Sequence, residues 1–162
     1  MRNNIIQHIR KECTINGISN VFFNALVAWL LLKGGADLTL GGENNFAVDL
    51  IATGFILPFI VTLIIIPLNK RQLDKQALSP ITLNQDHWME GLLAKFPQGL
   101  FLRAVLFGCI GMLLLAPLTL LPLWLLGIEQ FTPLAYAIFK GVWAGAIAAL
   151  LAVPMILLAL NK

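Results

Sequence analysis

The sequence predicts an all-α integral membrane protein with four transmembrane helices. Composition is the first reason. The residues AVILMFWYC fill 59% of 162 positions, charged residues fill 12%, and the mean hydropathy is +0.85. Soluble domains carry roughly 25% charged residues, and 11 basic plus 8 acidic side chains cannot give so small a globule a polar skin. Disordered chains are poor in apolar residues, so disorder is excluded as well. The second reason is spacing. Four stretches contain no Asp, Glu, Lys, Arg or His: Cys13–Leu32 (20 residues), Leu50–Asn69 (20), Ala104–Ile128 (25) and Gly141–Asn161 (21). Twenty helical residues rise about 30 Å, the thickness of the hydrocarbon core. The third reason is pattern. Runs such as LLLAPLTLLPLWLL are apolar on every side and lack the alternation of a β-barrel strand.

The first stretch is preceded by IIQHIRKE, which is too polar for a signal-peptide core and has no small-residue cleavage site. Helix 1 is therefore expected to act as its own uncleaved insertion signal. Helix 2 contains Pro58, a residue that bends helices and frees a carbonyl. Between helices 2 and 3, Trp88, Leu92, Leu93 and Phe96 recur at near-helical spacing, with Asp86, Glu90 and Lys95 on other faces. That pattern predicts about three turns of amphipathic helix at the membrane surface; the alternative is a loop packed on the helix ends. Helix 3 carries Pro117 and Pro122, and helix 4 carries Pro154.

Lys and Arg set the orientation. With the N-terminus cytoplasmic, Arg2, Arg10, Lys11, Lys70, Arg71, Lys75, Lys95, Arg103 and Lys162 lie inside, and only Lys33 and Lys140 lie outside. This bias predicts a multi-pass protein of the cell (inner) membrane with both termini cytoplasmic. Arg103, just before helix 3, is expected to snorkel to the inner headgroups. Trp29, Trp124 and Trp143 fall at the expected outer interface, where indoles favour the headgroup depth.

The two halves look like copies, which predicts a tandem duplication of a two-helix hairpin. The second helices end in Leu68-Asn69-Lys70 and Leu160-Asn161-Lys162, an offset of 92, whereas Pro67 and Pro154 align at 87. Two-helix units keep their membrane orientation, so the repeats would be parallel, related by an axis along the membrane normal. The expected organisation is 1–68, a linker at 69–98, and 99–162. In outline this resembles small duplicated bacterial permeases; no motif in the chain identifies one of them.

Three sets of residues are candidates for function. Asn16, Asn20 and Asn24 recur every four residues on helix 1, forming one slowly drifting polar stripe. Such amides avoid lipid; they either line a polar path or bind helices together through hydrogen bonds. Asp49 and Lys140 precede the uncharged runs of the second helix of each half. They read either as separate surface anchors or as an ion pair at the outer mouth of the bundle. Gly141, Gly145 and Ala149 form a small-residue row on helix 4, for packing inside the bundle or between subunits.

Enzyme signatures are absent. His87 and Glu90 give an H-x-x-E without a second nearby His, and no HExxH, P-loop, G-x-S-x-G or G-x-G-x-x-G occurs outside a transmembrane run. No metal site, cofactor or catalytic residue is expected. Cys13 and Cys109 lie in apolar context without CxxC spacing and read as buried thiols. The basic residues sit at helix ends, so a nucleic-acid partner is not expected. The expected partners are the lipid bilayer and a second copy or another membrane subunit. Two functions fit: a small permease or channel-like transporter acting as an oligomer, or a non-transporting accessory or scaffold subunit of a larger membrane complex.

Overall fold

The computed structural model describes residues 2–75, 77–83 and 88–161. Helix α1 spans Arg2–Leu32, α2 spans Phe46–Asp74 and α3 spans Trp88–Ala94. The third long element runs Leu100–Leu125 in three pieces: α4 (Leu100–Ile110), a π-helical turn (Gly111–Leu115) and α5 (Ala116–Leu125). Helix α6 spans Pro133–Leu160. Four spans, Asn4–Leu32, Phe46–Asp74, Leu100–Leu125 and Pro133–Leu160, are long and apolar enough to cross a membrane. By length and composition the chain is a multi-pass membrane protein.

Each helix outruns its uncharged stretch at one end, and α2 does so at both. Charge-free length measures what hydrocarbon tolerates, whereas a helix ends where its backbone bonds end. Residues 2–12 hold no Gly or Pro, so α1 starts a full three turns before Cys13. Helix α2 runs past Asn69 to Asp74, so the expected boundary at 68/69 falls within it. The starts of α2 and α6 are set by capping. Asn45 Oδ1 accepts from the amides of Ala47 and Val48 at 2.9 and 3.1 Å. Thr132 Oγ1 accepts from Ala135 N at 3.3 Å, with Pro133 in the first turn. Asp49 lies in the first turn of α2, while Lys140 lies two turns inside α6, not at its start.

The most extensive packing joins the first and last helices. Helix α1 lies on α6, α6 lies on α2, and α2 lies on the third span, giving the spatial row α1, α6, α2, α4–α5. The α1–α6 seam is antiparallel and made of small residues. A methyl built on Gly145 would sit 2.7 Å from the Gly17 carbonyl oxygen, and one on Gly141 would sit 2.7 Å from the Val21 oxygen. The mirror seam is between α2 and the third span. Pro58 has no N–H for the Gly54 carbonyl, and that carbonyl faces Gly111 so closely that a methyl at Gly111 would collide with it. Thr62 Oγ1, buried, donates to the Pro58 carbonyl at 2.6 Å.

The two ends of the bundle differ. At the loop end, strand β1 (Leu38–Thr39) pairs antiparallel with β2 (Gln130–Phe131), joining the two interhelical loops. Phe131 stacks on Phe139 and meets Phe46 edge-on beneath this ladder. At the other end, which carries most of the basic residues, Ile81 N donates to the Leu160 carbonyl at 3.0 Å and closes the end of α6.

Three expectations need correction. Among the described residues the amphipathic helix is α3, Trp88–Ala94; it ends before Phe96, the residue ahead of Pro97, and the expected Asp86 lies outside the described residues. Arg103 does not snorkel; it is 8% exposed, with Nε donating to the Pro97 carbonyl at 2.6 Å and Nη1 to the Leu158 carbonyl at 3.2 Å. Trp143 is not an interfacial anchor. It is buried, and its Nε1 donates to Thr119 Oγ1 at 2.8 Å, which ties α6 to α5.

Candidate functional site

Because α1 packs chiefly on α6, and meets α2 where His8 Nε2 lies 2.7 Å from Asn69 Oδ1, a groove is left between α1 and α2 farther along. Its volume is about 440 Å³, within the range of small-molecule pockets. The α1 wall carries the polar side chains Asn16, Ser19, Asn20 and Asn24, with Phe23 beside them. The other wall is α2, chiefly Ile56, Ile60 and Ile64, with Thr53 the one hydroxyl. The helical period dictates this arrangement. Gly17 and Val21 face α6, and the residues beside them in the same turns, Asn16 and Asn20, then face the groove.

The Asn amides are held within α1. Asn16 Nδ2 donates to the Glu12 carbonyl at 2.9 Å, Asn20 Nδ2 to the Asn16 carbonyl at 2.9 Å, and Asn24 Nδ2 to the Asn20 carbonyl at 3.0 Å. Asn24 also reaches Asn20 Oδ1 at 3.4 Å. Each amide thereby spends one N–H on its own helix and keeps a second N–H, and the amide oxygens of Asn16 and Asn24 stay uncommitted to described residues. No ionisable side chain lines the groove. It suits an uncharged ligand that both accepts and donates hydrogen bonds.

The second cluster lies nearer the loop end. Lys140 Nζ sits 2.6 Å from Asp49 Oδ2 and 2.8 Å from Oδ1. The Tyr136 hydroxyl donates to Asp49 Oδ2 and lies 3.4 Å from the Phe46 carbonyl. Tyr136 and Lys140 are four residues apart on α6 and so share a face. The Lys140 side chain is 14% exposed and that of Asp49 40%, so the pair is open on the carboxylate side. It borders a separate cavity of about 190 Å³ that also touches Asn44, Asn45 and Leu32. Tyr136 was not among the sequence candidates; its spacing from Lys140 was the available signal.

The third candidate set, Gly141, Gly145 and Ala149, packs against Ala25, Val21 and Gly17 of α1 within the chain. The row is occupied inside the bundle. Cys13 and Cys109 are half-buried free thiols. Among the described residues no group of three His, Cys, Asp or Glu side chains is placed to hold a metal. No known protein family, curated protein or solved structure matches the chain.

Proposed function

We propose that the protein is a small-solute transporter of the permease or channel type, acting as an oligomer, with the α1–α2 groove as one wall of its pathway. One observation carries this reading: a groove of about 440 Å³ whose α1 wall is a continuous row of Asn16, Ser19, Asn20 and Asn24. Polar side chains facing lipid are unfavourable, so a row of this length calls for water, a solute or a partner beside it. The single chain is packed along the rest of its α1–α6–α2 row, which leaves the groove at its flank. Closing it requires a second subunit, either another copy or a different membrane protein. The uncharged wall, with both donors and acceptors, favours a small neutral solute bearing hydroxyl or amide groups.

The placement in the membrane follows from charge. Nine basic residues at one end against Lys33 and Lys140 at the other support both termini on the cytoplasmic side of the cell (inner) membrane. A parallel duplication is supported by the helix starts. The caps Asn45 and Thr132 are 87 residues apart, the same offset as Pro67 to Pro154 and Gly54 to Gly141. The spatial row α1, α6, α2, α4–α5 maps onto itself when the two hairpins are exchanged.

The second reading is an accessory subunit whose groove receives a partner helix. The intrahelical hydrogen bonds of all three Asn amides favour it, since they let the stripe sit against a dry surface. Proteoliposome swelling separates the two. With glycerol and urea as probes, the transporter swells faster than empty vesicles, and Asn24→Leu slows it at equal reconstituted protein. Swelling no faster than empty vesicles for such solutes, with Asn24→Leu altering only abundance, would leave the accessory role.

A further inference from the structure

A cavity of about 310 Å³ opens at the basic end, between the end of α6 and the turn that follows α3. Its polar lining is Lys70, Gln98, Arg103 and Asn161, with Leu93 and Phe96 beside them. Among the described residues two cations line it and no carboxylate does. The one ion pair among the described residues, Lys140 with Asp49, belongs to the other cluster.

Arg103 is the unusual member. It is buried, and its two hydrogen bonds go to carbonyls, which orient the guanidinium without cancelling its charge. No bond is made by Nη2 to a described residue, and no buried side-chain nitrogen or oxygen among them lacks a partner. Arg103 lines the cavity. Asn161 Oδ1 accepts from Leu83 N at 3.3 Å, which leaves its amide N–H groups as donors. Lys70 is exposed and adds an ammonium. The wall offers donors and positive charge, so its complement is an anion made of acceptor oxygens.

Depth identifies the source. Helix α3, beside the cavity, buries Leu93 and leaves Trp88 81% and Leu92 55% exposed. An exposed indole and leucine on a short helix at the end of a transmembrane bundle belong at the boundary of headgroups and acyl chains. Lys95, just past the end of α3, lines the same surface pocket as Trp88 and Leu92.

We propose that Lys70 and Arg103 bind the phosphate of an anionic phospholipid headgroup in the leaflet that meets the basic end. Arg103, pre-oriented by its two carbonyls, supplies the fixed donor, and Lys70 supplies the adjustable charge. The site is independent of the α1–α2 groove and of what passes through it.

Native mass spectrometry of the full chain in detergent tests this, with short-chain phosphatidylglycerol and inorganic phosphate as probes. The Lys70 side chain is exposed and makes no hydrogen bond to a described residue, so Lys70→Gln should fold normally. It should weaken phosphatidylglycerol binding about fivefold, the effect of one basic residue at a membrane surface. Lys75→Gln, an exposed charge at the same end but outside the cavity, should leave binding unchanged. Inorganic phosphate that binds alone, with the same dependence on Lys70, supports the site with a soluble source. Equal phosphatidylglycerol affinity in the wild type and Lys70→Gln, or an equal loss in Lys75→Gln, would overturn the proposal.

Discussion

Lys140 Nζ bridges both carboxylate oxygens of Asp49, at 2.6 and 2.8 Å, and thereby ties α6 to α2. The Tyr136 hydroxyl, one helical turn away on α6, donates to the same carboxylate. Two helices from opposite halves of the chain are joined at one point by a charge-assisted cluster. Its value to stability depends on exposure: the ammonium is nearly enclosed, the carboxylate is not.

Removing the carboxylate should leave the enclosed Lys140 ammonium without its anion. Breaking a fully buried pair costs about 3–5 kcal/mol, and the exposure of Asp49 reduces this to about 1–2 kcal/mol. Asp49→Asn should therefore lower unfolding stability by that amount. A double-mutant cycle with Lys140→Met should return a coupling of about 1 kcal/mol. Additive single changes would mean that the pair contributes nothing.

The α1–α6 seam should not tolerate bulk. At Gly145 even a methyl lies 2.7 Å from the Gly17 carbonyl, and backbone cannot rotate away as a side chain can. Gly145→Leu should destabilise by about 3 kcal/mol, the upper end of overpacking effects. Val142→Leu, on the exposed face of the same helix, should change stability by less than about 0.5 kcal/mol. Thermal melts in detergent compare the two directly; equal melting points would contradict the seam.

Sidedness can be read by labelling. In a background with Cys13 and Cys109 replaced by alanine, Glu43→Cys should react with an impermeant thiol reagent added outside cells. Lys75→Cys should react only after the membrane is opened. Labelling of Lys75→Cys from outside would reverse the proposed orientation.

The long helices were legible because hydrophobic length and charge are local properties of the sequence. The Asn stripe was legible for the same reason, since the period of α1 alone puts Asn16, Asn20 and Asn24 on one face. What was not legible depends on partners. The pairing of α1 with α6 joins opposite ends of the chain, and apolar stretches of similar composition give no cue to which of them pack together. The π-helical turn at Gly111–Leu115 arises where the third span meets Pro58 and Gly54 of α2; nothing in GMLLL announces it. Arg103 read as a membrane-surface anchor because its acceptors, the carbonyls of Pro97 and Leu158, are backbone atoms without a sequence signature. Trp143 read as interfacial because its partner Thr119 lies on another helix.

The measurement that bears most directly on the pathway is water access to Asn24 in the intact membrane. Asn24→Cys, in the background without Cys13 and Cys109, is exposed to a small water-soluble thiol reagent; thiolate formation requires water. Leu150→Cys, on the exposed face of α6, is the lipid-facing control. A water-filled groove predicts that the thiol at position 24 reacts well ahead of the one at position 150, and that a solute occupying the groove slows it. A thiol at position 24 as inert as the one at position 150 would contradict the pathway.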